Sequence, residues 1–178
     1  MKMDKSELDK IERRLGKNAI ITATRRYYCV WTESGFRLLW GDPDCEPIIL
    51  DSSVSDAAIG DAIQSALSKS RFLSTAEAES FATVRQQEIS DKSAECDAAL
   101  AKRFGYKNET QMNKEAKYVS VKFSEGKFTI KPYHTNNSTS YSGVDADQHV
   151  IIPGNSSPTK IGAAFRQALS RCTSAYDK

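Results

Sequence analysis

The sequence lacks the features that mark membrane proteins, secreted proteins and disulfide scaffolds. None of its apolar runs approaches the roughly 20 residues that a membrane-spanning helix requires. The stretch from Met1 to Lys17 is densely charged and has no apolar core of the signal-peptide type. The four cysteines lie far apart and form no C-x-x-C pair. We therefore expect a cytoplasmic protein without a membrane partner, whose cysteines serve as small apolar side chains.

A strong excess of charge of one sign is also missing. The formal net charge of the 178-residue chain is +2, although 27% of its residues are charged. Basic residues are dispersed, apart from short pairs such as Arg13–Arg14 and Arg25–Arg26. A nucleic-acid-binding protein usually carries a clustered basic stripe. The charge distribution therefore argues against nucleic acid as the partner.

The sequence contains no recognisable catalytic or metal-binding motif. It has two histidines, His134 and His149, and both fall in a polar region that predicts loops. No Walker loop, G-x-G-x-x-G, H-E-x-x-H or nucleophile elbow is present. The group formed by Asp145, Asp147 and His149 is too generic to indicate a metal site. We expect no enzymatic activity, no cofactor and no bound metal.

The periodicity of apolar residues predicts an α+β fold. In the first half, we expect a helix at Ser6–Leu15 and a strand-rich segment at Ala19–Thr32 with a turn near Arg25–Arg26. A hairpin turn at Ser34–Gly35 leads to a returning strand at Phe36–Trp40. A loop at Gly41–Pro47, a short buried strand at Ile48–Leu50 and a second helix at Ser55–Ser70 follow.

The second half repeats this plan after a helical connector. Ser74 and Glu77 have capping-box spacing and open a long helical stretch that ends near Phe104–Gly105. Its apolar stripe is thin, so much of it should face solvent or a partner. Two strands, a polar loop, a buried strand and a last helix follow. These are Tyr118–Phe123, Phe128–Lys131, Thr135–Ser142, Val150–Ile152 and a helix that opens at Ser157–Pro158.

An internal repeat supports this reading. Ile48–Ser70 aligns without gaps on Val150–Cys172, and Gly60 matches Gly162. A glycine inside a helix costs up to about 1 kcal/mol relative to alanine, which indicates close contact of each helix with a sheet or with its twin. We expect Ile59, Ile161, Leu67 and Leu169 to be buried at equivalent positions. The interpretation is one pseudo-twofold domain, 1–178, with antiparallel meander-plus-helix repeats at about 18–73 and 117–174 and a long polar helical connector at about 74–116.

Candidate contact residues come from acidic and aromatic side chains. Trp40 borders a loop that carries Asp42, Asp44 and Glu46 and is stiffened by Pro43 and Pro47, and this pattern is typical of a hot spot for a basic protein partner. The polar helix around Glu77, Glu79, Glu88 and Asp91 is a second candidate surface. The polar loop Thr135–Ser142, with His134 and Tyr141, is a third. The alternative is that the two acidic surfaces are ordinary solvated surface and that the partner docks elsewhere, for example on this polar loop.

Several segments resemble one known family. They are Phe104-Gly105-Tyr106-Lys107, Gln111-Met112, Val119-x-Val121, Ile130-x-Pro132 and, above all, Val150 to Cys172. Together they resemble immunity proteins of contact-dependent growth inhibition (CDI) systems, over about Ala19 to Cys172. The resemblance implies a bacterial protein that binds and neutralises the C-terminal toxin domain of an exported effector. That toxin is expected to be a basic nuclease whose active site the immunity protein covers.

The resemblance also implies a fold like the Whirly nucleic-acid-binding domain, which is itself built from two meander-plus-helix repeats. Whirly proteins bind single strands through a lysine- and glycine-rich strand motif, and this sequence has no counterpart of it. A single-stranded nucleic-acid-binding module is the alternative function that this fold implies, and the missing motif argues against it. The oligomeric state stays open.

Overall fold

One antiparallel sheet organises the chain, and helices lie on both of its faces. The computed structural model describes residues 5–177, so residues 1–4 and 178 of the expected domain lie outside the described part. In chain order the elements are α1 (Lys5–Leu15), β1 (Lys17–Ala23), β2 (Tyr27–Gly35), β3 (Leu39–Gly41), β4 (Ile48–Asp51), α2 (Asp56–Lys69), α3 (Thr75–Ala82), α4 (Gln86–Arg103), α5 (Glu109–Glu115), β5 (Lys117–Ser124), β6 (Lys127–Asn137), β7 (Ser140–Gly143), a 3₁₀ turn (Ala146–Gln148), β8 (Val150–Pro153), α6 (Pro158–Ser170) and β9 (Thr173–Ser174).

Strand pairing is equivalent in the two halves of the chain. The sheet has the order β3-β2-β1-β5-β6-β7, with β4 paired to β2, and β8 and β9 paired to β6. The antiparallel pair β1 and β5 forms its centre, where Lys17 lies opposite Phe123 and Ala23 opposite Lys117. Each half therefore contributes a meander followed by a helix, and the predicted α+β class is confirmed. The Whirly-like arrangement stays a prediction.

Helices α2 and α6 cover one face of the sheet and form the main core. Each begins at a serine, Ser55 or Ser157, whose hydroxyl accepts a hydrogen bond from a backbone N–H three residues later. Ile59 and Ile161 are fully buried, as the repeat predicts, and Leu67 is buried as well. Leu169 is only half-buried at the edge of this core, so the expectation of equal burial is wrong for it. The strands supply Ala19, Ile21, Val30, Val119, Val121 and Ile130.

The two repeat glycines lie where α2 and α6 cross. A Cβ atom added at Gly60 would lie 1.9 Å from the carbonyl oxygen of Pro158, and one added at Gly162 would lie 1.9 Å from that of Asp56. Since Asp56 and Pro158 are themselves equivalent in the repeat, the contact is reciprocal. Each helix therefore approaches its twin so closely that only glycine fits.

The connector forms a second, smaller core on the opposite face. The predicted long helix is interrupted at residues 83–85, so α3 and α4 are separate helices. The predicted capping box at Ser74 and Glu77 is present. Leu100 and Met112 pack with Tyr27 and other strand side chains to hold α4 and α5 against the sheet. None of the helices in residues 5–177 is long and apolar enough to cross a bilayer.

Three local predictions are wrong in detail. Strand β2 continues through Ser34–Gly35, and the turn follows it at residues 36–38, because Ser34 is buried and hydrogen-bonded inside the sheet. The polar segment Thr135–Ser142 is a hairpin of β6 and β7 rather than a loop. The short strands β4 and β8 lie toward the sheet margin and are incompletely buried, with Ile151 60% exposed.

Candidate functional site

A groove lies on the sheet face that α2 and α6 do not cover. The connector occupies only part of this face, so α4 forms one wall, while α1 and the β6–β7 hairpin border the remainder. Two clefts, of about 620 and 740 Å³, meet there. Both are lined by Ile20, Glu33, Leu39 and Tyr141. We call these joined clefts the groove.

Three tyrosines from the second half of the chain form an aromatic cluster in the groove. The rings of Tyr118 and Tyr141 stack with their centroids 4.3 Å apart. The ring of Tyr133 meets Tyr141 edge-on at 5.0 Å. Its hydroxyl lies 3.2 Å from the Ser120 hydroxyl. Stacked and edge-on pairs at these distances are favourable, so the cluster is a preformed apolar surface with polar tips.

Two carboxyl groups flank this aromatic cluster. Burial raises the pKa of Glu33 to about 7, and burial together with the nearby Glu109 raises the pKa of Asp97 to about 6. Glu33 also contributes to the raised pKa of Tyr141. Asp97 contributes to that of Tyr118. The stacked ring pair and both carboxyls line the same cleft, where burial favours the neutral form of each carboxyl.

The end of the groove beneath α1 is basic. Arg14, Arg37, Lys122 and Lys131 line the smaller cleft. The Lys122 amine donates to the carbonyl oxygen of Arg14, and burial lowers the pKa of this lysine. The groove is thus polarised, with cations at the α1 end and the carboxyls of Asp97 and Glu109 at the α4 end.

Asp42 proves to be a structural residue and is not part of an exposed acidic surface. Its side chain is fully buried and accepts hydrogen bonds from Ser34 Oγ at 2.6 Å and Arg71 Nε at 2.8 Å. Burial alone would raise the pKa of Asp42, but the bonds from Arg71 and Ser34 hold it below its usual value. The sequence analysis places Asp42 among the surface charges of the acidic loop, and this placement is wrong. The Asp42 side chain is buried and fixes the loop to β2.

The other carboxylates of the acidic loop are exposed but paired. Asp44 contacts Arg71 at 2.5 Å and Arg85 at 2.7 Å. Glu46 contacts Lys92 at 2.6 Å. The bond from Arg85 lowers the pKa of Asp44. These ion pairs attach the loop to the segment before α3, to the N-terminal end of α4 and to α4 itself, so the loop presents much less free negative charge than its sequence suggests.

The remaining predicted contact residues divide between the groove and other surfaces. Trp40 and Tyr141 line the groove, and Trp40 also packs edge-on against Phe81 at 6.4 Å. Glu88 and Asp91 line a separate cleft between α4 and the acidic loop, and Glu88 pairs with Arg85 at 2.8 Å. Glu77 is used in capping α3, and Glu79 is exposed.

Neither histidine lines the groove. His134 lies on β6, where its Nδ1 is 2.7 Å from Thr173 Oγ1, so it belongs to a strand and not to the predicted loop. His149 follows the 3₁₀ turn, and burial lowers its pKa. In residues 5–177 no three His, Cys, Asp or Glu side chains converge on a possible metal position. The four cysteines are free thiols.

Sequence reasoning missed the most unusual residue of the groove, Glu33. The available signal was strand alternation. Trp31 and Glu33 share the face of β2 opposite Val30 and Thr32, so an acidic side chain lies on a strand face that otherwise carries large apolar groups. The contribution of Tyr118 and Tyr133 could not be seen because they belong to the other half.

Comparison with known proteins agrees with this architecture. A family model described as CdiI, CDI immunity protein, matches residues 17–172. The chain belongs to the CDI immunity protein family. Immunity protein CdiI-YPIII of Yersinia pseudotuberculosis serotype O:3 (strain YPIII) is 29% identical over 161 residues, which cover 82% of this chain and 89% of the relative.

Two solved structures share the CdiI fold seen here. One is a chain of the CdiA-CT/CdiI toxin and immunity complex from Yersinia pseudotuberculosis, with TM-score 0.78 and 28% identity over 88% of this chain and 97% of that one. The other is the protein of unknown function NMB0488 from Neisseria meningitidis, with TM-score 0.80 and 28% identity over 88% and 94%. Helix α1 lies outside the segment that the family model matches.

Proposed function

We propose that this chain is a non-enzymatic cytoplasmic inhibitor that binds the C-terminal toxin domain of its cognate CDI effector, a nuclease, and covers the toxin's active site. The observation that carries this proposal is the likeness over 88% of the chain to a structure of a CdiA-CT/CdiI toxin and immunity complex. Family membership supports inhibition as the role.

The groove is the surface that best fits such a partner. It is concave, it presents tyrosines and Trp40, and its α4 end carries the carboxyls of Asp97 and Glu109. A nuclease attacks a polyanion, so its active cleft is electropositive and complementary to an acidic, aromatic surface. We propose that Trp40, Tyr141, Asp44, Glu46, Glu88 and Asp91 belong to or border the docking surface. Asp42 is left out because its side chain is fully buried, Glu77 because its carboxylate caps α3, and His134 because it does not line the groove.

A matched pair of serine substitutions tests the docking surface. Ser93 is exposed on the α4 wall of the groove, and Ser68 is exposed on α2 on the opposite side of the sheet. Ser93→Arg adds bulk and positive charge to the groove without removing a packed side chain. Binding of purified toxin domain, measured by calorimetry, should weaken by at least about tenfold in Ser93→Arg. It should be unchanged in Ser68→Arg, and equal loss or equal retention in both variants would exclude the groove.

The inhibition mechanism is tested with the toxin's own nuclease reaction. The wild-type chain should abolish cleavage of nucleic acid at equimolar ratio, and excess substrate should slow association because substrate and inhibitor compete for one cleft. His134→Ala and His149→Ala should protect as well as the wild type, because no catalytic group acts on the toxin. A bound toxin that still cleaves its substrate would contradict occlusion.

A single-stranded nucleic-acid-binding role is the second candidate, and one observation favours it. Arg14, Lys122 and Lys131 lie beside the tyrosines at the α1 end of the groove, and cations next to aromatic faces suit single strands. Titration with a labelled oligonucleotide at low salt separates the two functions. The inhibitor proposal expects no saturable binding, whereas saturable binding lost in Lys131→Glu would support the second candidate.

A further inference from the structure

Glu33 is an acidic side chain placed where a protein rarely leaves one without a partner. It occupies the free face of β2, in a strand whose other residues are mostly buried. Its side chain is half-buried, and its carboxylate makes no hydrogen bond or ion pair within residues 5–177. The side chain lines both clefts, so its oxygens face the groove and not the core. A half-buried carboxylate with no direct ion-pair partner is partly desolvated, and a cation supplied from outside the chain would relieve that cost.

The neighbours of Glu33 limit what that partner can be. Tyr141 lies close enough for the Glu33 charge to raise its pKa, and its ring stacks on Tyr118 at 4.3 Å. Tyr133 closes the cluster edge-on. A carboxylate beside several aromatic faces is the chemistry that recognises a guanidinium or ammonium group, through an ion pair and cation–π contacts together.

We propose that Glu33 and the tyrosines Tyr118, Tyr133 and Tyr141 form a subsite for one arginine or lysine side chain of the toxin domain. This proposal rests on the proposed function and specifies how the groove recognises its partner. The subsite receives a cationic side chain from the partner, and the ion pair forms only in the complex.

The charged groups around Glu33 define the route by which the cation enters. From α1 and the β2–β3 turn, Arg14 and Arg37 face the groove, and β5 and β6 present Lys122 and Lys131. From the opposite side, α4 and α5 present Asp97, Glu109 and Lys92. The repulsive cations lie at the α1 end, so the partner's side chain reaches Glu33 from the α4 end, past Asp97.

The decisive variant is Glu33→Gln, which keeps the shape and removes the charge. Its matched control is Asp61→Asn, which removes one charge from the exposed side of α2 on the opposite face. Calorimetric titration of full-length protein with the toxin domain should show affinity reduced by at least about tenfold in Glu33→Gln. The control should bind like the wild type. Tyr141→Leu should lose about three- to thirtyfold, and Tyr141→Phe should retain binding because the ring face is kept.

Proton release separates a direct ion pair from a structural effect. At pH 6.5 free Glu33 is largely protonated, so a cation that binds to it must displace the proton. Calorimetric titrations at this pH in phosphate and in Bis-Tris, two buffers with different ionisation enthalpies, should show that the wild type releases up to one proton more than Glu33→Gln. If the wild type binds the toxin and Glu33→Gln binds equally well with equal proton release, the subsite is excluded while the proposed function stands. If the wild type does not bind the toxin at all, both fail.

Discussion

Alanine at either repeat glycine should force α2 and α6 apart. The added Cβ would lie 1.9 Å from a backbone carbonyl oxygen of the other helix, whereas ordinary contact begins at 3.4 Å. The helices must therefore separate by about 1.5 Å, which disturbs the close packing of the core beneath them. Gly60→Ala and Gly162→Ala are the variants to compare.

The magnitude follows from two opposing effects. Overpacking costs about 1–3 kcal/mol, and the upper part of this range applies because the atom that Cβ meets is backbone and cannot rotate away. Alanine recovers about 1 kcal/mol through its better helix propensity. We expect a net loss of about 2 kcal/mol from the free energy of unfolding, and a fall in Tm of about 4–8 °C.

Urea denaturation followed by circular dichroism gives the free energy directly. Gly143→Ala is the control, because its added Cβ would meet no atom within 4 Å, and its stability should equal or exceed that of the wild type. In the double variant one helix separation accommodates both Cβ atoms, so its loss should be smaller than the sum of the single losses. Gly60→Ala with wild-type stability would refute the close crossing.

Three further predictions concern stability. Leu67→Ala should cost about 2–5 kcal/mol in urea denaturation, and Leu169→Ala clearly less, because only Leu67 is buried. Asp42→Asn should cost about 1–3 kcal/mol above pH 5, since Arg71 loses its buried partner, and the difference should shrink in acid, where the lowered pKa of Asp42 is crossed. The raised pKa of Glu33 means that the folded state holds its proton more tightly, so stability should fall by up to about 3 kcal/mol as pH rises from 4.5 to 7, and Glu33→Gln should remove this fall.

Local patterns were sufficient to predict the helices of the repeat. The serine caps, the apolar spacing and the in-helix glycines are all encoded within about 15 consecutive residues of α2 and of α6. The break between α3 and α4 was not predicted, because the segment before Arg85 contains no proline or glycine and Arg85 itself caps no backbone group with its side chain. The extension of β2 to Gly35 depends on Ser34 being buried beside Asp42, which is a tertiary contact.

The proposed docking surface was harder to predict because charge in sequence does not reveal pairing in space. Asp42, Asp44 and Glu46 look like a free acidic loop, but Arg71, Arg85 and Lys92 reach them from segments 25 or more residues away. Glu33 has the opposite character. It appears as a single charge in a strand, and only the folded sheet shows that its carboxylate has no direct ion-pair partner among residues 5–177.

The sheet face that carries the groove and the face covered by α2 and α6 can change independently during evolution. Alternate residues of β1 and β2 point to opposite sides, so a substitution at Ile20 or Glu33 alters the groove without touching Ile21 or Val30 beneath α2. Selection for a new toxin can therefore act on one side of the sheet while the other keeps the protein folded. Sequence drift among relatives should then concentrate in the groove and spare the glycine crossing, which would let one scaffold serve many mutually incompatible toxin–immunity pairs.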